Sequence, residues 1–545
     1  MFLLNKVKLT IIVLTIIGAL LHFYNLSWGA PFHFHPDERN IASSVSQLSY
    51  PNQLNPNFFA YGSLPIYTIF GTGLLANTLF GNDVLQNNNG VSFEQAIFIS
   101  RFYSALFATL LIPMLFVLGK KLFSEKAGLV TAFFVTFSTG VIQFAHFGTF
   151  ELWITFFSVL LLWQCLELCK KGSMRHILYL GVILGILFAT KVSTIVLAPI
   201  PLLAIILTSK KYKKIHRKIL FICSSSLFLL AIATCLYLIS NPFVFIDRPS
   251  FENSIQYESQ VGLGALPVFY TGGFFDTIPV IYQLLHIYPF LINPILTILI
   301  VPALLFTAWY GYRQKQQMYI VLFGILLILF FSQALLFIKW TRNMIPTLPY
   351  LYLCIAFFVT HDWGKQSWHR RLQEITIVIT LSCAIIFSLS YFITVYTNED
   401  TRITATTYAQ SNISPTATIL SEPYDLGLMP FNPYFSNIVI SNIYDLDTDT
   451  SNLTKLSVQN TLDMSDYILL PSQRVIQTRM QNPERFPEGN RFYKDLVSEK
   501  DFKLIYQTPC DIFCKIAYLG EPTYYWEQTA TVFDRPTIYI FEKRK

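Results

Sequence analysis

The chain has 545 residues, a mean hydropathy of +0.47 and 13% charged residues, about half the charge of an ordinary soluble chain. Its apolar residues arrive in runs of about 17–22, long enough to cross a ~30 Å hydrocarbon layer as helix, which excludes a soluble globular protein. The net charge of +7 is confined rather than spread: 19 of the 39 Lys and Arg residues stand at the N-terminus or in five short loops, so the charge reports membrane topology and anionic lipid and excludes a nucleic-acid partner.

In chain order, Lys6 and Lys8 precede an apolar run from Leu9 to Phe23. The run ends in His22, Tyr24 and Trp28 rather than in a small-residue cleavage site, so it reads as an uncleaved first span. The predicted spans are 9–26, 97–118, 128–144, 151–169, 177–190, 193–208, 219–240, 288–310, 318–338, 344–360 and 375–396, about eleven in all. The basic loops at Lys120/Lys121/Lys126, Lys170/Lys171/Arg175, Lys210 to Lys218, Arg313/Lys315 and Lys365/Arg370/Arg371 then all fall in the cytoplasm with Lys6 and Lys8.

The first outer loop, Ser27 to Ala96, is long and carries Asp37, Glu38, Arg39, Asp83 and Glu94. Its apolar stretch Leu64–Phe80 contains Pro65 and two glycines. A span there would turn every later lysine loop outward, so an interfacial or re-entrant helix is expected. A second outer loop, Asn241 to His286, mixes aromatics, glycine and acids and reads as a mobile lid. Residues 398–545 leave the membrane body 1–397 on the outer side. Their strand-like runs at Ala417–Ser421, Ile438–Asn442, Tyr467–Pro471, Leu504–Gln507 and Thr537–Phe541 predict a small α/β domain. The expected fold is therefore mainly α, a multi-pass plasma membrane protein with a cytoplasmic N-terminus and an extracytoplasmic C-terminal domain. Six cysteines fall in spans. Cys510 and Cys514 fall in the tail, where a disulfide requires the intervening DIF to turn as a loop. No repeat is visible.

The string Phe34-His35-Pro36-Asp37-Glu38 places two carboxylates and a histidine at the outer membrane surface. Further ionisable residues stand where other outer loops meet the bilayer: Arg101, His146 and Glu151 (the last two in HFGTFE), Lys191, and Lys339 with Arg342 in KWTRN. Charges facing lipid are costly, so these residues are expected to converge on a polar cavity. Carboxylates on one wall and cations on another suit chemistry on a lipid phosphate, in which the cations hold the leaving phosphate and a carboxylate takes a proton from the attacking group.

With these motifs the chain resembles the prokaryotic branch of the GT-C glycosyltransferases, the superfamily of protein O-mannosyltransferases and lipid A aminoarabinose transferases. The resemblance runs through FHPDE, RFYSALFATLLIPMLFVLGKKLF, HFGTFE, GILFATKVSTIVL and RNMIPTLPYL. It continues in the tail through SDYILLPSQRVIQTRMQNPERFPEGNRFY and TVFDRPTIYIFEK. It implies a polyprenyl-phosphate sugar donor and an inverting transfer to an acceptor hydroxyl on the outer side of the membrane. Under it, Asp37 is the general base and Glu38 its neighbour that orients the acceptor or binds a cation. Glu151 stands where relatives often have Asp. Lys191, Lys339 and Arg342 are the candidates to hold the donor phosphate, with His35, Arg101 and His146 in support.

A divalent cation near Asp37 and Glu38, joined by Glu151 or His35, is the one metal site the sequence offers. No DxD string stands in the first loop, and no cysteine–histidine spacing suits zinc, so no obligatory metal or other cofactor is expected. The competing class, a transporter or lipid flippase, would place its polar residues near the bilayer midplane, often in two related halves.

Overall fold

The computed structural model describes residues 2–80, 90–364, 366–424, 426–449, 453–522 and 525–544; Asp83 and Lys365 lie outside these. Among the described residues, nine helical segments are long and apolar enough to cross a membrane: Lys6–Phe23, Phe93–Leu122, Glu151–Lys171, Val192–Ser209, Ile215–Ser240, Pro294–Gln314, Gln317–Ala334, Thr341–Thr360 and Ser367–Thr397. A tenth is the pair Glu125–Thr136 and Thr139–Ala145, bent by 53°. The bend lies at Ser138, whose hydroxyl accepts from Val141 N–H and starts the second helix afresh. The remaining expected span, Met174–Thr190, has 17 residues and rises only about 25 Å.

One boundary is corrected. The span expected at 288–310 begins at Pro294, because Asn293 adopts a left-handed φ of 77° and caps the new helix through Leu296 N–H. Tyr288–Ile292 is left as a separate short helix. The stretch Leu64–Phe80 forms the helix Ser63–Phe80, with Ile66, Ile69 and Phe70 buried and Leu75, Leu79 and Phe80 exposed. Helix Thr341–Thr360 is central and mostly buried, whereas Ile215–Ser240 exposes Leu220, Leu227 and Ile239 in the manner of a lipid-facing helix.

Two spans open with a 3-10 stretch, Val192–Leu197 and Thr341–Thr347. Proline explains both. Pro199 has no N–H to return to the Ile195 carbonyl, which instead accepts from Ala198, and Pro346 has none to return to the Arg342 carbonyl. These two irregular entries carry Lys191 and Arg342.

The C-terminal region builds one five-stranded sheet from β1 (Thr418–Ser421), β2 (Asn437–Ile440), β3 (Tyr467–Leu470), β4 (Phe502–Gln507) and β5 (Tyr539–Lys543). The order is β2-β1-β3-β5-β4; β1 pairs parallel with β2 and β3, and β5 runs antiparallel between β3 and β4. All five strands overlap the runs read from sequence. Cys510 and Cys514 form a disulfide. Cys510 can reach its partner because Asp511 caps a helix that begins only at Ile512, which leaves Cys510 outside the helical repeat.

This region is interlocked with the membrane body rather than hung from it. Asp534 accepts hydrogen bonds from Tyr391 and from Gln143 (3.0 Å). The guanidinium of Arg402 stacks 3.7 Å from the Phe34 ring centroid. Glu527 accepts from both the backbone N–H (2.8 Å) and the hydroxyl (2.7 Å) of Thr341.

Candidate active site

The FHPDE string is a helix start. His35 has extended backbone, Pro36 occupies the first turn, and the helix runs Pro36–Ser46 with Asp37 and Glu38 in its first turn, where carboxylates are favoured by the helix dipole. Successive helical residues are about 100° apart around the axis, so the two acids face different surroundings.

Glu38 points inward and is fully buried. Its Oε1 accepts from Arg101 Nε (3.0 Å) and Gly148 N–H (2.5 Å), and its Oε2 accepts from Arg101 Nη2 (2.6 Å). Arg101 also donates to the Leu26 and Trp28 carbonyls (2.8 and 2.9 Å) and stacks on the Trp28 ring. This bidentate pair clamps the end of the first span, helix Phe93–Leu122 and the turn at Gly148 into one unit. Both Glu38 oxygens are thus engaged, and Glu38 does not line the space that Asp37 faces. His146 is also spent on structure: its ring nitrogens face the Ile142 and Tyr24 carbonyls at 2.8 Å, and the ring stacks 3.6 Å from Tyr396.

Asp37 faces outward into a narrow space lined by His35, Phe147, Thr149, Arg342, Thr529 and Phe533. Arg342 Nη1 donates to Asp37 Oδ2, and Tyr61 Oη lies 3.5 Å from the same oxygen. The first-loop acid and the cation before the tenth expected span thus share one site. Burial pushes the Asp37 carboxyl up, but the charges of Arg342, His35 and Lys191 outweigh it and hold it below its ordinary value.

On the other side of Arg342 is a cleft of about 50 Å³ lined by Glu151, Lys191, Ser193, Thr194, Gln333 and Asn343 among others. Arg342 stacks 4.4 Å from the Trp340 centroid, and Lys191 Nζ lies 5.3 Å from that of Tyr61. Glu151 heads helix Glu151–Lys171; its Oε2 is buried without a hydrogen-bond partner. Burial and then the Arg342 charge lower the Lys191 ammonium from its ordinary value, with Glu151, Glu258 and Asp37 opposing.

Lys339 lies apart from both spaces. It is buried, and its ammonium donates to the Phe337 carbonyl (3.0 Å). Arg342, three residues on, takes the position next to Asp37.

Four contributors escaped the sequence reading. Glu258, on helix Arg248–Leu263 of the expected lid, is electrostatically coupled to Arg342 and Lys191. Burial pushes its carboxyl above its ordinary value despite those cations. Tyr61 bridges Asp37 and Lys191. Thr529 and Phe533 come from the tail. Asp37 and Glu38 diverge, and among the described residues no three His, Cys, Asp or Glu side chains are grouped.

Residues 93–238, which carry Arg101, Glu151 and Lys191, match the dolichyl-phosphate-mannose-protein mannosyltransferase family. No curated protein matches the chain. Among solved structures, the Archaeoglobus fulgidus oligosaccharyltransferase is similar over nearly the whole chain. In complex with an inhibitory peptide and a dolichol-phosphate it has TM-score 0.53 and 11% identity, covering 99% of this chain and 89% of that one. Tethered to an acceptor peptide containing the NVT sequon it again has TM-score 0.53 and 11% identity, covering 99% and 88%. ArnT from Cupriavidus metallidurans bound to undecaprenyl phosphate has TM-score 0.49 and 11% identity, covering 98% of both chains. The family match thus covers about a quarter of the chain, the second to seventh expected spans, and the archaeal oligosaccharyltransferase shares the fold nearly from end to end.

Proposed function

We propose that the protein transfers a sugar from a polyprenyl phosphate to an acceptor hydroxyl at the outer leaflet, with inversion at the anomeric carbon. The observation that carries this reading is the direct contact of Asp37 with Arg342, flanked by the Lys191 cleft. Basic loops on one face set the orientation: the N-terminus lies in the cytoplasm, and the C-terminal domain and the site lie outside, on the plasma membrane. A division of the chain at 397/398 follows from that orientation.

In the step itself, the acceptor oxygen attacks C1 of the sugar and its proton passes to the Asp37 carboxylate. The C1–O bond to phosphate breaks, and the electron pair leaves with the polyprenyl phosphate. Arg342 presents a planar fork to that phosphate and Lys191 a point charge, so the charge that develops is met by fixed cations in a water-poor cleft. Tyr61 holds Asp37 on one side and the Lys191 ammonium on the other. Glu38 and Arg101 position the helix that carries Asp37 and touch no reactant. The reaction is written without a metal, and chelation by EDTA is expected to leave it unchanged. The fold accommodates such a lipid in the archaeal oligosaccharyltransferase, whose structure holds a dolichol-phosphate.

The test is to reconstitute the purified protein in nanodiscs and supply a panel of polyprenyl-phosphate sugars. Donor-dependent release of polyprenyl phosphate, abolished in Arg342→Gln, is the expected result. No turnover of any donor, together with transport of lipid across vesicles, would overturn the reading in favour of a flippase.

A further inference from the structure

The tail and the second outer loop line a half-open cavity of about 370 Å³ that the transfer step does not use, within the range of about 300–1,000 Å³ usual for small-molecule sites. One wall is amide and hydroxyl: Gln477, Thr478, Gln481, Asn482 and Gln528. The opposite wall is aromatic: the rings of Tyr282 and His286 lie 4.9 Å apart, and those of His286 and Tyr525 5.5 Å apart. Gln528 is 5% exposed, yet its Oε1 has no hydrogen-bond partner, an omission that a ligand donor would make good. Gly273 keeps that amide uncrowded, since a Cβ there would stand 3.1 Å from Gln528 Nε2.

The chemistry of this lining is selective. Each sugar hydroxyl is both donor and acceptor, and a carboxamide offers both roles in one plane. The C–H faces of a pyranose ring are apolar and suit an aromatic wall. Among the described residues lining the cavity there is no Lys or Arg; its one carboxylate is that of Asp276. Such a lining, with no cation, is poor for a phosphorylated or acidic ligand.

The position of the cavity matters as much as its lining. Gln528 and Thr529 are consecutive in the 3-10 turn Gln528–Ala530. Gln528 lines this cavity, and Thr529 lines the space around Asp37. The turn is fixed by Glu527, which is hydrogen-bonded to Thr529 and to Thr341, the neighbour of Arg342. The two spaces are thus back to back across one rigid turn.

We infer that this cavity is an acceptor subsite for a neutral carbohydrate, holding the penultimate sugars of a glycan whose terminal hydroxyl is offered to Asp37. The inference rests on the glycosyltransferase reading above and narrows its acceptor to a glycan.

The test separates the two. Wild-type protein in nanodiscs, without donor, is titrated with neutral linear tetrasaccharides of mannose, galactose and arabinose, and binding is read by saturation-transfer NMR. At least one tetrasaccharide is expected to bind saturably. The exposed substitutions Tyr525→Ala and Gln481→Ala should each weaken it roughly 3- to 10-fold, the loss of one stacking or hydrogen-bonding contact. Both variants should hydrolyse donor with water at the wild-type rate and show a raised KM for glycan acceptor. Failure of all three tetrasaccharides to bind overturns the inference. So does binding indifferent to both substitutions, or binding of a Ser/Thr peptide that the same substitutions weaken. Tetrasaccharide binding without hydrolysis of any donor would instead count against the transfer reaction while leaving the carbohydrate site standing.

Discussion

Asp37 and Glu38 are adjacent in sequence, and the structure predicts opposite consequences for their replacement. Glu38→Gln keeps the shape of the side chain but removes its charge, and it sets an amide N–H₂ against donors from Arg101 or Gly148. The pair is completely buried, and breaking a buried pair costs about 3–5 kcal/mol because the remaining charge is left uncompensated. Leu26 and Trp28 carbonyls still accept from Arg101, which puts the expected loss nearer 3 kcal/mol. Asp37→Asn breaks a pair whose side chains are 28% and 21% exposed, so its effect on stability is expected to stay within about 1 kcal/mol. As general base, however, Asp37 is worth roughly 10²–10⁴-fold in rate. The assay is paired: thermal unfolding of each purified variant in detergent, and donor turnover well below the unfolding range. Glu38→Gln should lower the unfolding midpoint, with the folded fraction retaining turnover; Asp37→Asn should unfold as wild type and turn over at background. An inactive but fully stable Glu38→Gln protein, or near-normal turnover in Asp37→Asn, would refute the assignment of one acid to structure and the other to chemistry.

Three further outcomes follow from the same geometry. Arg342→Lys keeps a charge but loses the planar fork and the stacking on Trp340, and should cost roughly 10–100-fold in kcat/KM, seen in donor titrations. The acid limb of kcat/KM, which reports the free enzyme, should lie at or below the ordinary carboxylate value near pH ~4, because Arg342 depresses Asp37; the limb of kcat should lie higher once a bound donor phosphate shares Arg342. Burial raises the Asp534 carboxyl to about 6 against its bonds from Tyr391 and Gln143. The folded state therefore favours the protonated acid, its stabilising effect is full below pH ~4 and lost as pH rises through about 6, and Asp534→Asn should abolish that fall in unfolding midpoint.

The membrane architecture was legible because its signals are long: an apolar run needs no partner to be recognised, and lysine loops fix its direction. The strands of the tail were legible from short apolar runs for the same reason. The site was legible only in part. FHPDE reads as a loop when taken as a cluster of charges, although Pro36 followed by two acids is a helix start. Read as a helix, it would have separated Asp37 from Glu38 by about 100° and assigned only one of them to the cavity. Lys339 and Arg342 are equally basic, and only the 3-10 entry into the span decides which one turns toward Asp37. Glu258, Thr529 and Phe533 left no local signal, since each reaches the site through tertiary packing of a distant segment.

The Asp37–Arg342 contact has a consequence for the order of events under the proposed reaction. Without donor, the guanidinium holds the carboxylate in its weakest basic state, so the base is idle when there is nothing to transfer. The phosphodiester of a bound donor offers Arg342 a second anion, and that partner gains charge as the C1–O bond breaks and the phosphate monoester forms. Its arrival therefore divides the guanidinium between two anions, and the added negative charge nearby raises the basicity of the Asp37 carboxylate. One arginine then serves the leaving group and gates the base. Binding becomes ordered, with donor first, and an acceptor alone meets a carboxylate that is already engaged.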